Sequence, residues 1–127
     1  MSKKYNQIER IRNLFPQLLQ KKLPKEITVF SVGLKTSKDL NSLYRKKNKS
    51  TNVLSFRYSR DYGEILLCPE VIKREARLAG NPQKYQMTWM IVHGMIHLAG
   101  MHHEKSKNVA ARVEKLEKGI LGKIFPK

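Results

Sequence analysis

The stretch MTWMIVHGMIHLAGM, from Met87 to Met101, most narrows what this chain can fold into. Helical periodicity runs from about Pro82 to Ala99, and between Met87 and Leu98 that helix is apolar nearly all round. Such a helix is stable in water only if every side of it is covered. The stretch is too short to span a bilayer and carries two histidines, so the covering must come from the rest of the chain. A buried central helix is therefore expected, closed by Gly100.

The other elements are legible as its wrapping. Ile8, Ile11, Leu14, Phe15, Leu18 and Leu19 recur at helical spacing, with Pro16 breaking the pattern and Leu23-Pro24 ending it. EITVFSVGL, from Glu26 to Leu34, alternates and is β-branched, as a strand should be. SKDLNSLYRKK predicts a short helix to about Lys47, with Ser37 as N-cap and Asp39 in its first turn. NVLSFRY and GEILLC, separated by SRDY, predict two more strands in a hairpin. PEVIKREARLA, from Pro69 to Ala79, has proline in its first turn, acids early, bases later and Gly80 just beyond, the pattern of a short helix. In EKSKNVAARVEKLEKGIL, Val109, Val113, Leu116 and Ile120 form one apolar stripe on a peripheral C-terminal helix. No repeat, low-complexity tract or linker divides the chain, so residues 1–127 are expected to form one α+β domain. Its small mixed sheet of three to four strands should pack with about five helices around the central one.

Twenty-six Lys and Arg against ten Asp and Glu give a net charge of +16, a self-repulsion that a polyanionic partner would relieve. A nucleic acid fits better than a membrane surface, because no basic helix with a large apolar face accompanies the charge. No apolar signal segment follows the basic N-terminus, and the one cysteine, Cys68, lies in an apolar run where it reads as a small buried hydrophobe. A reducing, cytoplasmic setting is expected.

All four histidines fall within HGMIHLAGMHH, residues 93–103. On a helix His93 and His97 are separated by about 40° of rotation and roughly 6 Å of rise, so both rings can reach one point. His103 can join them only if the helix stops and the chain folds back, which a glycine at position 100 permits. Three neutral imidazoles with an open fourth position would suit a catalytic zinc. The plain alternative is two satisfied core histidines and two solvated ones. The spacing also matches the long zinc motif of metzincin proteases, but Gly94 stands where their catalytic glutamate would be, and glycine cannot take a proton from a nucleophilic water. A peptidase is thereby disfavoured.

HGMIHLAGMHH resembles the H-G-x-L-H-L-x-G-Y-D-H signature of the YbeY family, bacterial endoribonucleases of ribosomal RNA maturation. LNSLYRKKNKSTNVLSF is similar to that family's L-N-x-x-Y-R followed by T-D-V-L-S-F, and GEILLCPE to its G-D-I-x-I-C-P-E. These blocks run from about Leu40 to His103 in the family's order. The resemblance implies a zinc-dependent, single-strand-specific endoribonuclease that matures the 3′ end of small-subunit ribosomal RNA and serves ribosome quality control. One zinc ion would be held by His93, His97 and His103 on the central helix and its turn. The family's functional arginine falls on Arg45, whose guanidinium can grip a phosphate in two places and stabilise charge on its oxygens. Partners would be single-stranded or ribosomal RNA and the ribosome or its small subunit, with no membrane.

Three positions depart from the family. Asn52 and Glu64 stand where it generally has aspartates, and Met101-His102 replaces its Tyr-Asp. Asn52 removes a carboxylate that could orient Arg45 or water, although its amide oxygen can still accept a hydrogen bond. Thr51, Asn52, Glu64 and His102 are expected to support the site from around it, and Ser55 and Phe56 to serve the strand and core. In the expected mechanism zinc lowers the pKa of its water to about 7 and polarises a phosphate oxygen, while Arg45 and nearby lysines hold the backbone. The general base is open among zinc-bound hydroxide, Glu64, His102 and a substrate group, as is the choice between water and the 2′-hydroxyl as nucleophile. Tyr44, Tyr58 and Tyr62 are candidate platforms for unstacked bases, against the commoner role of packing. The rival function is a ribosome-associated RNA-binding factor with a structural metal and little or no nuclease activity.

Overall fold

A computed structural model describes residues 7–102 and 105–126. Among them are six α-helices and three strands: α1 (Ile8–Leu14), α2 (Gln17–Gln20), β1 (Glu26–Ser31), α3 (Leu34–Arg45), β2 (Val53–Arg57), β3 (Tyr62–Leu67), α4 (Pro69–Ala79), α5 (Gln83–Leu98) and α6 (Lys107–Ile124). The fold is α+β, as expected. Pro16 splits the first helical pattern into α1 and α2, and Leu18, assigned to its apolar stripe, points into solvent.

The sheet is mixed, in the order β1-β3-β2. β1 runs parallel to β3, while β2 and β3 form the expected antiparallel hairpin. Strand alternation sorts the side chains onto two faces. Ile27, Val29, Val53, Ile65 and Leu67 belong to the larger core, with Ile91, Val92, Met95 and Ile96 of α5. Leu54 and Leu66 point the other way and join Val32, Cys68 and Val71, with Leu40 and Phe56 at the margin. Cys68 is buried, a small hydrophobe as read from its run.

α5 packs on β2, β3, α4 and α6, which accounts for its all-round apolarity. It presses closely on the sheet at Gly94, where a Cβ would stand 3.0 Å from both Ile65 Cγ2 and Ser55 Oγ. The helix ends as the sequence predicts. Gly100 takes φ +94°, its N–H donates to the His97 carbonyl and that of Met101 to the Ile96 carbonyl, the paired bonds of a Schellman turn. Arg57 secures the same end. Its guanidinium donates to the carbonyls of Leu98 (2.7 Å), Lys22 (2.6 Å) and Arg60 (2.7 Å), so a cation sits at the negative pole of α5 and ties it to the hairpin.

Ser37 is not an N-cap. α3 begins at Leu34 with Gly33 as its cap, and Ser37 is buried in the helix interior. Its hydroxyl donates to the Thr51 carbonyl (2.8 Å) and accepts from the Thr51 N–H (2.9 Å). Asn41 Nδ2 donates to the Lys49 carbonyl and Ser50 Oγ to the Leu34 carbonyl, so three side chains fasten the loop between α3 and β2 to the helix.

The contact at Gly94 carries a direct test. Alanine usually gains about 1 kcal/mol over glycine inside a helix, yet here its methyl must displace the fully buried Ile65, and overpacking of that kind costs about 1–3 kcal/mol. Gly94→Ala is expected to leave stability in urea unchanged or lowered, and Gly94→Glu to lower it severely; a clear gain for Gly94→Ala would show that the helix does not press on the sheet there.

Candidate functional site

β2 is an edge strand, and a cleft of about 720 Å³ follows it between α3 and α5. Arg45, Thr51 and Asn52 line it from the α3 side, and Trp89, His93, His97 and His102 from the other. Residues some fifty positions apart in sequence thus share one opening. Arg45 is the last residue of α3 and exposed; Lys46 behind it adopts the left-handed conformation, φ 57°, and turns the chain away.

Trp89, His93 and His97 form an i, i+4, i+8 stripe on α5, the side of that helix not taken by the sheet. The His93 and His97 ring centroids are 4.4 Å apart, and His97 and His102 are 5.2 Å apart across the Gly100 turn. His103, expected as the third ligand, lies outside the described residues. Among the described residues no three His, Cys, Asp or Glu side chains converge as a metal cluster. The donors that are described suit zinc: two half-buried imidazoles on successive turns, one of them fixed by a carboxylate.

That carboxylate is Glu117 of α6, a residue outside the set that the sequence motifs single out. It is buried, with His93 Nδ1 donating to its Oε2 at 2.5 Å and Trp89 Nε1 donating to its Oε1 at 3.0 Å. A proton held on Nδ1 leaves the lone pair on Nε2, and histidine ligands are commonly oriented by such a carboxylate. The signal was present in the sequence: Glu117 follows Leu116 and precedes Ile120, an acid set into the apolar stripe of α6.

The cleft keeps acids of its own despite the asparagine at position 52. Glu75 of α4 and Glu117 both line it. The amide of Asn52 donates to Glu75 Oε1 at 2.9 Å, a bond that an aspartate there could make only by taking up a proton. Thr51 serves chiefly through its backbone, held by Ser37. Gly94 faces the sheet, not the cleft, so a glutamate at that position would meet Ile65 and Ser55 before reaching any substrate.

Glu64 is not brought to the cleft. It lies beside Phe56 and Thr28 in the sheet register, on the face away from α5, and its two oxygens accept from Tyr58 OH (3.0 Å) and Tyr62 OH (2.7 Å). The Tyr58 phenol is raised above the usual tyrosine value by burial and then by its bond to Glu64. At Tyr62 the Thr28 hydrogen bond pulls the other way and is outweighed by Glu64 and desolvation, so this phenol is raised as well.

A small α+β fold with a histidine-lined cleft beside an edge strand is the class that fold and site define. The family model described as endoribonuclease YbeY matches residues 1–124, and the chain belongs to that family. A Burkholderia ambifaria protein named Endoribonuclease YbeY is 38% identical over 107 residues, 80% of this chain and 61% of that protein. Its Burkholderia pseudomallei namesake is 36% identical over 107 residues, 80% of this chain and 58% of its own length. The chain thus spans about three fifths of the length of these curated relatives. The solution structure of TM1509 from Thermotoga maritima matches with a TM-score of 0.59 and 25% identity, over 92% of this chain and 83% of that one. Among the described residues no helix is long and apolar enough to cross a membrane.

Glu117 offers a test independent of any ligand. Removing it strands the partly buried Nε1 of Trp89 and Nδ1 of His93, each costing about 1–3 kcal/mol if left unpaired. Glu117→Ala should lower the urea midpoint clearly, and Glu117→Gln less, because the amide oxygen still accepts from Trp89. Equal stability of Glu117→Ala and the parent chain would remove the bridge from the account.

Proposed function

We propose that the chain is a zinc-dependent, single-strand-specific endoribonuclease acting on ribosomal RNA. The observation that carries the reading is the meeting of Arg45 with His93 and His97 across one cleft. Family membership and the net charge of +16 support it.

The residues that would hold zinc are His93, His97 and His103. When bound, the ion supplies Lewis-acid polarisation of a phosphoryl oxygen. Arg45 grips the scissile phosphate and stabilises the charge that develops on its oxygens. Lys46, Lys47 and Lys49, exposed beside it, hold the flanking phosphates as point charges. Glu117 keeps the His93 ring in one orientation. Glu75, with Asn52 donating to it, and His102 are groups of the cleft that can move a proton, Glu117 being engaged by His93 and Trp89, and Glu64 is too remote to do so. The 3′ end of small-subunit ribosomal RNA as substrate, association with the ribosome in quality control, and a cytoplasmic location are proposed on the family resemblance.

The test pairs zinc content with cleavage of single-stranded ribosomal RNA. Arg45→Ala should keep its zinc and cut about 10²- to 10³-fold more slowly, as removal of one charge-stabilising donor usually does; His97→Ala should lose both metal and cutting. A zinc-loaded parent chain that cuts no faster than His97→Ala, yet binds RNA, would overturn the nuclease and leave the RNA-binding factor.

A further inference from the structure

Away from the histidines, the exposed face of the hairpin carries a run of aromatic rings. Tyr44 meets Phe56 edge to face at 5.0 Å between centroids, Phe56 stacks on Tyr58 at 6.3 Å, and Tyr58 on Tyr62 at 5.9 Å. Strand geometry produces the row. Phe56 and Tyr58 are two residues apart and share a face, and the Tyr58 N–H donates to the Tyr62 carbonyl, which sets those two rings side by side across the hairpin.

Packing accounts for the row only in part: Phe56 leans on the core of this face and Tyr62 is half-buried. The core on this face is Val32, Leu54, Leu66, Cys68 and Val71, with Phe56 at its margin and neither Tyr58 nor Tyr62 among its members. Tyr44 is 61% exposed and Tyr58 62%. Glu64 holds the hydroxyls of Tyr58 and Tyr62, so those rings are fixed before anything binds and little ordering entropy remains to be lost.

The row is continuous with the cleft, because Tyr44 and Phe56 line both. Arg45, Lys46, Lys47 and Lys49 follow Tyr44 directly and are exposed. Arg57, by contrast, spends its guanidinium on backbone carbonyls and is no phosphate ligand. A row of rings, those of Tyr44 and Tyr58 exposed and those of Tyr58 and Tyr62 held by Glu64, beside a basic run in a chain of net charge +16 matches the chemistry of an unpaired polynucleotide, whose bases stack while its phosphates track the cations.

We propose that Tyr44, Phe56, Tyr58 and Tyr62 form a stacking track that carries the unpaired bases of one RNA strand toward the Arg45 cleft. The track rests on the RNA reading of that cleft and extends it: it assigns single-strand preference to the sheet face and gives Glu64 the role of a positioning residue.

The experiment uses the full chain in chelator, so that nothing is cut, with a fluorescent oligouridylate and the same strand annealed to its complement as probes. Anisotropy should show the single strand held more tightly than the duplex. Tyr58→Leu, which keeps apolar bulk but loses the π-face, and Tyr62→Leu should each weaken single-strand binding about tenfold, within the range for one lost base–aromatic stack, and leave duplex binding unchanged. Tyr58→Phe, which keeps the π-face but releases the ring from Glu64, should weaken single-strand binding less than Tyr58→Leu, and with zinc restored Tyr58→Leu should raise KM and leave kcat intact. A parent chain that binds and cuts RNA while both Leu variants bind within twofold of it would overturn the track and leave the cleft reading standing. No single-strand binding by the parent would overturn both. If the parent sediments as a dimer and Tyr58→Leu as a monomer, the face joins two copies of this chain and the track is overturned.

Discussion

The contact between α5 and the sheet at Gly94 is the constraint on which the rest depends. Because position 94 has no Cβ, the helix backbone comes down onto Ile65 and Ser55, and the turns on either side are set at one distance from the edge strand. His93 and His97 flank the contact in sequence and face the cleft beside the edge strand. Their place is thus fixed by packing in a close-packed interior, where shifts of even one methyl group are felt. The glycine that disfavours a peptidase is therefore also the residue that lets the helix sit where the cleft requires it.

Two devices act on the ends of this arrangement. At the C-terminal end of α5 the Gly100 turn reverses the chain, and Arg57 locks the Leu98 carbonyl to the hairpin. On the outer side Glu117 reaches in from α6 to His93 and Trp89. Opposite them Arg45 closes α3, and its loop is fastened by Ser37, Asn41 and Ser50. Groups that must cooperate are thus carried on separate elements and held by hydrogen bonds that do no chemistry themselves, the support that precise sites require.

Most of the fold was legible because its signals are local and periodic. The all-round apolarity of Met87–Leu98 gave α5, alternation gave the strands, and Gly80 and Gly100 marked helix ends that the backbone confirms at φ 72° and 94°. Ser37 misled because a serine before a helical pattern is a good cap, and its true partner, Thr51, lies fourteen residues on. In the candidate site the histidine spacing and Arg45 stood out, but their carboxylate neighbours did not. Glu75 is an ordinary acid of an amphipathic helix until tertiary packing carries it to the cleft, and Glu117, though set into the apolar stripe of α6, has partners on α5 that no local pattern names. Glu64 was assigned to the cleft from its place in a motif, yet strand alternation turns it to the other face, where it orders two tyrosines.

Everything proposed for the cleft turns on whether these imidazoles hold a metal. X-ray absorption on the zinc-loaded chain measures that directly. The expected result is a first shell with histidine nitrogens at about 2.0–2.1 Å and the multiple-scattering pattern of three imidazoles, falling to two in His103→Ala. A shell of oxygen alone, or one that His97→Ala and His103→Ala leave unchanged, would contradict it.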